Sequence, residues 1–280
     1  MPIETKHEIL DRYERQPRTL TDDFVDAIAW DEIKRHPFDK RLIPVLFYMR
    51  DVEVLTDMYF KELRRTPTGR DPVISKFMER WTAEEVTHGE LLNRFLNELG
   101  IRTGDNWKSA IRSSVPRGYR FNTYLITSLT NLAGRKFTAT HMTFGAIHEM
   151  TTAQGYRRLI TLAQHPVLTS LLKAVIREES AHTQFYWRMA RLELEKSETA
   201  RKLARLVIEQ FWYPVGQGSK PKQQTEYVVS TLFGPGRALE ILDNTVNKRV
   251  QQLPGFSGVN RVSDKLGQIC LENSPGPTPH

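Results

Sequence analysis

An all-α bundle built around four long helices is the fold this sequence predicts, on three observations. Apolar residues recur at three- and four-residue spacing through four long segments. Helix-starting and helix-ending residues bracket those segments. No stretch alternates with the period of two that a half-buried strand requires.

The elements follow in order. Thr21 caps a short helix over DDFVDAIAW, and the chain bends at HPFDKR. Pro44 suits the first turn of a long helix that runs to about Arg65. After the loop TPTGRDP a second long helix runs to Gly100, a residue that readily closes a helix C-terminus. GIRTGDNW and SSVPRGYR bracket a short helix, and a further helical stretch is expected from Tyr124 to the break at LAGRK. FTATHMTFGAIHEMTTAQGYRRLITLA reads as the third long helix. QHP opens the fourth, to about Lys196, and Ser197 then caps SETARKLARLVIEQFW. YPVGQGSKPKQQ reads as a loop, two shorter helices follow, and the Pro- and Gly-rich sequence from Pro254 onward reads as mobile. The expected organisation is one domain over residues 1–255, with its core at about 43–213, and a flexible tail over 256–280.

Composition narrows the function classes. With 280 residues, 39% of them hydrophobic, the chain suits a folded protein with a large core. Its longest apolar run, LIPVLFYM, is too short to span a bilayer, so no integral membrane protein is expected. The N-terminal MPIETKHEIL has no signal-peptide core, and Cys270 has no second cysteine to pair with. A cytoplasmic protein is expected. The net charge of +7 favours an acidic partner, but no nucleic-acid motif or zinc-ligand spacing accompanies it. KRHPFDKR is the densest basic cluster.

The chemistry lies on the four long seams. The second helix carries Met78, Trp81, Glu85, His88, Leu92, Phe95 and Leu99 on one stripe, and the fourth carries Leu168, Leu172, Val175, Glu179, His182, Tyr186 and Met189. In both, Glu-x-x-His interrupts an apolar face, and residues three apart project the same way. The first long helix places Glu53 between Met49 and Thr56, and the third places Glu149 between Gly145 and Thr152. A third match, Glu4-x-x-His7, lies in a charged segment and reads as solvated. Burying a lone carboxylate costs several kcal/mol on the order of its lost hydration. One Glu from each of two helices plus Glu-x-x-His from two more is the ligand set of carboxylate-bridged di-iron or di-manganese bundles. Four carboxylates offset two divalent cations, and each imidazole should donate its other N–H to an outer acceptor, for which Glu178 is a candidate. The alternative, a set of buried ion pairs, lacks cations, because these seams bring no Arg or Lys.

WTAEEVTHGELLNRFL resembles the soluble acyl-carrier-protein desaturases, and VEVLTDMY, EMTT and EESAH resemble that family's remaining ligand segments in order. The resemblance covers roughly residues 28 to 215. It implies a ferritin-like four-helix bundle with additional flanking helices. Two Fe ions per chain would be held by Glu53, Glu85, His88, Glu149, Glu179 and His182, and a mixed Fe/Mn pair suits the same ligands. It implies further an oxygen-dependent desaturase that inserts a cis double bond into an acyl chain on acyl carrier protein, with a ferredoxin-like electron donor. A homodimer is expected. Thr152 matches a threonine beside the oxygen-binding face, and Tyr59 the family's tyrosine. Trp30 with Pro37 is similar to an element thought to deliver electrons through His88 and Glu178. An apolar channel is then needed, with Tyr59, Phe60, Phe144 and Tyr156 as expected walls, and Lys34, Arg35, Lys40 and Arg41 as an expected carrier-docking cluster. His148 and Met150 replace the Gln and Arg that usually flank the third glutamate, Glu178 stands where Asp is common, and Ala181 replaces a basic residue. These departures leave chain length and double-bond position open, and with them a hydroxylase or N-oxygenase outcome. Iron storage and the radical subunit of ribonucleotide reductase are more distant readings.

Overall fold

The computed structural model describes residues 4–120, 130–131, 134, 136–234 and 236–273. The four expected long helices are present: α3 (Ile43–Leu63), α4 (Pro72–Glu98), α6 (Lys136–Ala163) and α7 (Pro166–Glu195). Around them lie α1 (Lys6–Glu14), α2 (Asp22–Asp26), α5 (Trp107–Ser114), α8 (Glu198–Phe211) and α9 (Lys222–Phe233). The chain ends in α10 (Ala238–Leu242), a π-helical turn over Asp243–Asn247, α11 (Lys248–Val250) and α12 (Arg261–Glu272). Two 3-10 turns, Trp30–Arg35 and Lys40–Leu42, lead into α3. Among the described residues no strand forms, so the all-α bundle expected from the sequence is what the chain adopts. The helix expected from Tyr124 lies outside the described residues except for residues 130 and 131, which are helical.

Local chemistry sets the helix ends. Asp71 accepts hydrogen bonds from the Val73 and Ile74 N–H groups at the start of α4, with Pro72 in the first turn. At its other end, Ile101 N–H bonds to the Leu96 carbonyl and Gly100 N–H to that of Asn97, while Gly100 sits at φ 96°. This pairing closes a helix through a left-handed residue, where glycine carries no Cβ penalty. His165 caps α7 by accepting from Leu168 N–H, and Ser197 caps α8 through Ala200 N–H.

Two helical hairpins make the bundle. Residues 64–71 join α3 to α4, and only Gln164 and His165 join α6 to α7, so each pair folds back on itself. The helices of each pair pack along one another, and α4 also meets α7. Gly89 sets the spacing of the first pair. A Cβ there would lie 2.5 Å from a Val54 methyl, 3.0 Å from the Arg50 carbonyl oxygen and 3.3 Å from the Glu53 Cβ. The glycine beside His88 therefore lets α3 bring Glu53 against α4.

The tail expected to be flexible from residue 256 instead contains α12 within its described part. Val262, Leu266, Ile269 and Cys270 fall on one face of that helix and are buried against the α9–α10 region. Proline and glycine dominate the composition around this helix and obscure its spacing. No helix among the described residues is long and apolar enough to cross a membrane.

Candidate metal centre

The four long helices bring their interrupting residues to one place. Ligand-capable atoms of Glu53, Glu85, His88 and Glu179 lie within 4.8 Å of one another, and so do those of Glu85, Glu149, Glu179 and His182. Glu85 and Glu179 belong to both sets. All six side chains are buried, His88, Glu179 and His182 completely.

The imidazoles are oriented alike. His88 turns Nδ1 toward Glu179 (3.3 Å) and Nε2 toward Glu178 (3.0 Å). His182 turns Nδ1 toward Glu85 (3.0 Å) and Glu149 (3.5 Å), and Nε2 toward Glu84 (2.8 Å). Each outer acid thus serves the histidine of the opposite helix. Glu178 agrees with the outer acceptor named from the sequence. Glu84 was missed, although the repeat E-E-x-x-H in AEEVTH and REESAH carries the signal. The terminal acids have outer donors too: the Tyr156 hydroxyl donates to Glu53, and Trp81 Nε1 donates to Glu149 at 3.0 Å.

Electrostatics argue that this cluster suits cations. Burial first, and then the charge of Glu85, pushes the Glu53 carboxyl well above the ordinary range. Glu179 is likewise raised by burial and then by Glu85 and Glu149. Burial works against the charge of His88 and His182, but the surrounding carboxylates outweigh it and raise both, His182 strongly. A crowd of buried acids with protons shared among them is what cations would relieve. The hydrogen-bond accounting points the same way. Glu85 Oε1, both oxygens of Glu179, His88 Nδ1 and His182 Nδ1 are buried without a hydrogen-bond partner, and all face the cluster. Buried polar atoms are rarely left so. Oxygen and imidazole donors in this number fit two divalent first-row cations.

A model of the family described as Fatty acid desaturase matches residues 55–227, more than half of the chain. The chain belongs to that family. Its chemistry is oxidoreductase chemistry, and the matched span includes Glu85, His88, Glu149, Glu179 and His182; Glu53 lies just before it. No curated protein matches the chain, and no solved structure does.

The other expected residues of this family member are dispersed. Thr152 lies half-buried on α6, one turn beyond Glu149. Trp30 donates its indole N–H to the Val25 carbonyl and carries the Arg94 guanidinium on its face, while Glu178 Oε1 takes the Thr19 and Leu20 N–H groups. The Tyr59 and Tyr119 hydroxyls hydrogen-bond, and Tyr59 packs against α5 in a small cluster with Leu55, Ile111 and Val115. Phe60 and Phe144 are half-buried against the main core. In the basic cluster Arg35 pairs with Glu32 and Arg41 with Asp39, and Lys34 and Lys40 are exposed.

Proposed function

We propose that this family member is an oxygen-dependent di-iron desaturase that inserts a cis double bond into a fatty acyl chain carried on acyl carrier protein, drawing electrons from a ferredoxin-like donor. The observation that carries the reading is the sharing of Glu85 and Glu179 between two buried ligand sets. In this reading Glu53 and His88 would hold one ion and Glu149 and His182 the other, with Glu85 and Glu179, common to both sets, contributing to each. When bound, the iron pair supplies the oxidising power, drawn from oxygen, that removes two hydrogens from adjacent carbons.

The chain's own residues do the rest. Glu178 and Glu84 accept at Nε2 of His88 and His182, which would fix the tautomer and leave each Nδ1, turned toward the acid cluster, free to hold an ion. Tyr156 and Trp81 hold the two terminal acids. Because its hydroxyl is committed to Glu53, Tyr156 serves this proposal as a positioning residue as well as a channel wall. Phe60 and Phe144 are the remaining proposed walls on the bundle side, and Tyr59 would act from the α5 side. Thr152, one turn beyond Glu149 on α6, is proposed to hold a proton at Oγ1. Buried rings around α4 and α7, with Phe77 stacked 3.7 Å from Phe185 and edge-on to Tyr186, exclude water from one side of the site. Lys34 and Lys40, with Arg35 and Arg41, supply positive charge for an acidic carrier.

The test is a reconstituted assay. Protein loaded with iron anaerobically, then given reductant, oxygen and acyl carrier protein charged with saturated chains of several lengths, should release a cis-monounsaturated product and contain two irons per chain. Two irons without any unsaturated product would overturn the desaturase reading and leave the metal centre standing.

A further inference from the structure

The N-terminal segment, whose Glu4-x-x-His7 reads from the sequence as solvated, packs across two of the long helices and reaches an acid behind the buried cluster. Lys6 bridges Asp71 (2.6 Å) at the start of α4 and Glu193 (3.0 Å) near the end of α7, and Arg188 binds Glu4 at 2.8 Å. α1 thereby lies across both helices that carry Glu-x-x-His, with Ile9, Leu10 and Tyr13 buried beneath it. From the last turn of α1 onward the chain passes over the two outer acids. Tyr13, 2% exposed, donates its hydroxyl to Glu84 Oε2 at 2.6 Å, the same oxygen that faces His182 Nε2. Arg80 holds Glu84 Oε1 at 2.8 Å and at the same time binds the carbonyls of Tyr13, Glu14 and Gln16. Three residues after Gln16, the Thr19 and Leu20 N–H groups close on Glu178 Oε1 at 2.8 and 3.0 Å. A cavity of ≈ 230 Å³ lies between this strap and the two acids, lined by Gln16, Pro17, Thr19 and Arg80 among others.

The two histidines therefore have unlike outer partners. Behind His182 stands a carboxylate held by the Tyr13 phenol and the Arg80 guanidinium, with Arg18 of the strap 3.6 Å from its Oε1; behind His88 stands one held by two backbone amides. An acceptor already loaded with charged and strong donors pulls less on an imidazole N–H, and its orientation depends on those donors staying in place. We propose that the strap from Tyr13 to Leu20 is the outer clamp of both histidines, and that Tyr13 positions the His182 side alone, making the two cation positions inequivalent. Tyr13 acts through Glu84 and is a positioning residue. This inference rests on the reading of the six buried residues as a two-cation site.

The experiment uses full-length protein titrated with Co(II) in place of iron, read by visible absorption for occupancy and by the paramagnetically shifted imidazole N–H signals in proton NMR. Wild type should bind two Co(II) and show two such signals with different solvent-exchange rates. Tyr13→Phe keeps the ring and removes the hydroxyl. It should weaken one Co(II) position about tenfold, leave the other unchanged, and shift only the N–H signal that Glu84→Gln also shifts. Glu178→Gln should move the other signal. Equal effects of Tyr13→Phe on both signals, or none on either, would overturn the inference while two bound Co(II) preserved the site. Failure of wild type to bind two Co(II) would instead overturn the site reading, and the inference with it. A merely structural role for Tyr13 predicts lower thermal stability with both N–H signals unmoved, which counts against the proposal.

Discussion

Glu84 and Glu85 are neighbours with separate tasks, and the difference comes from where a helix turns them. Adjacent side chains point about 100° apart, so Glu85 falls on the apolar stripe and Glu84 beside it. The stripe made Glu53, Glu85, His88, Glu149, Glu179 and His182 legible, because each interrupts a face whose other members are apolar. Glu84 was not legible as an isolated residue, since its burial depends on Tyr13 and α1, far away in sequence. The sequence makes Tyr156 a channel wall and Trp81 a member of the apolar stripe, and only the folded chain shows their polar atoms turned onto Glu53 and Glu149. The shared acids allow a sharp prediction at this scale. Glu179→Ala removes a side chain common to both ligand sets and should abolish binding of both ions, whereas Glu53→Ala should leave one. Metal analysis after equilibrium dialysis distinguishes them, and one retained ion in Glu179→Ala would show that it does not bridge. Removing one partner of a buried charged group costs about 3–5 kcal/mol in comparable cases, so each variant's fold should be checked by circular dichroism beside the metal count.

At the scale of the elements, helix existence and ends were the most readable part. Pro44, Asp71 with Pro72, Gly100, His165 with Pro166 and Ser197 mark boundaries that caps and fixed dihedrals impose locally. The helix α12 was hidden because Pro254, Gly255 and Gly258 precede it and little of its length is apolar, although Val262, Leu266 and Ile269 keep helical spacing. How closely two helices approach is a property of the pair and cannot be read from either one. Gly89 shows this: its sequence neighbours His88 and Glu90 say nothing of Val54 or of the Arg50 carbonyl across the interface. Gly89→Ala should push α3 from α4 and cost about 1–3 kcal/mol, the usual range for overpacking, against a small gain in helix propensity. Urea denaturation of the metal-free variant measures it. Displacing α3 also displaces Glu53, so metal affinity should fall at the position proposed for Glu53 and His88. Unchanged stability and affinity would mean that the contact relaxes without cost.

The whole molecule is a bundle whose centre is charged, and its stability should therefore depend on what occupies that centre. In the metal-free chain Glu53 and Glu179 are raised, by burial first, and His88 and His182 are raised because their carboxylate partners outweigh burial. Groups raised in the folded state contribute stability that is fully present below their unfolded pKa values and is lost as pH rises through the folded ones. Across neutral pH the metal-free protein should therefore weaken as pH increases. Glu84, lowered to about 2 because His182, Tyr13 and Arg80 outweigh its burial, acts oppositely: its contribution is present above the ordinary carboxylate range and is lost only as pH falls toward 2. Cations reverse the neutral trend, since they bind carboxylates in the ionised form and imidazoles in the neutral form, and their affinity rises with pH. At a hundredfold excess over Kd, one site adds about 2.7 kcal/mol, which for a chain of this size corresponds to a rise in Tm of about 5 °C. Calorimetry of loaded and chelator-treated protein at pH 6 and pH 8 should show a Tm gap that widens with pH (each pH being about half a decade or more from the ordinary histidine value of about 6.5). A gap that narrows with pH would mean that protons, and not cations, are the favoured partners of these acids in the folded chain.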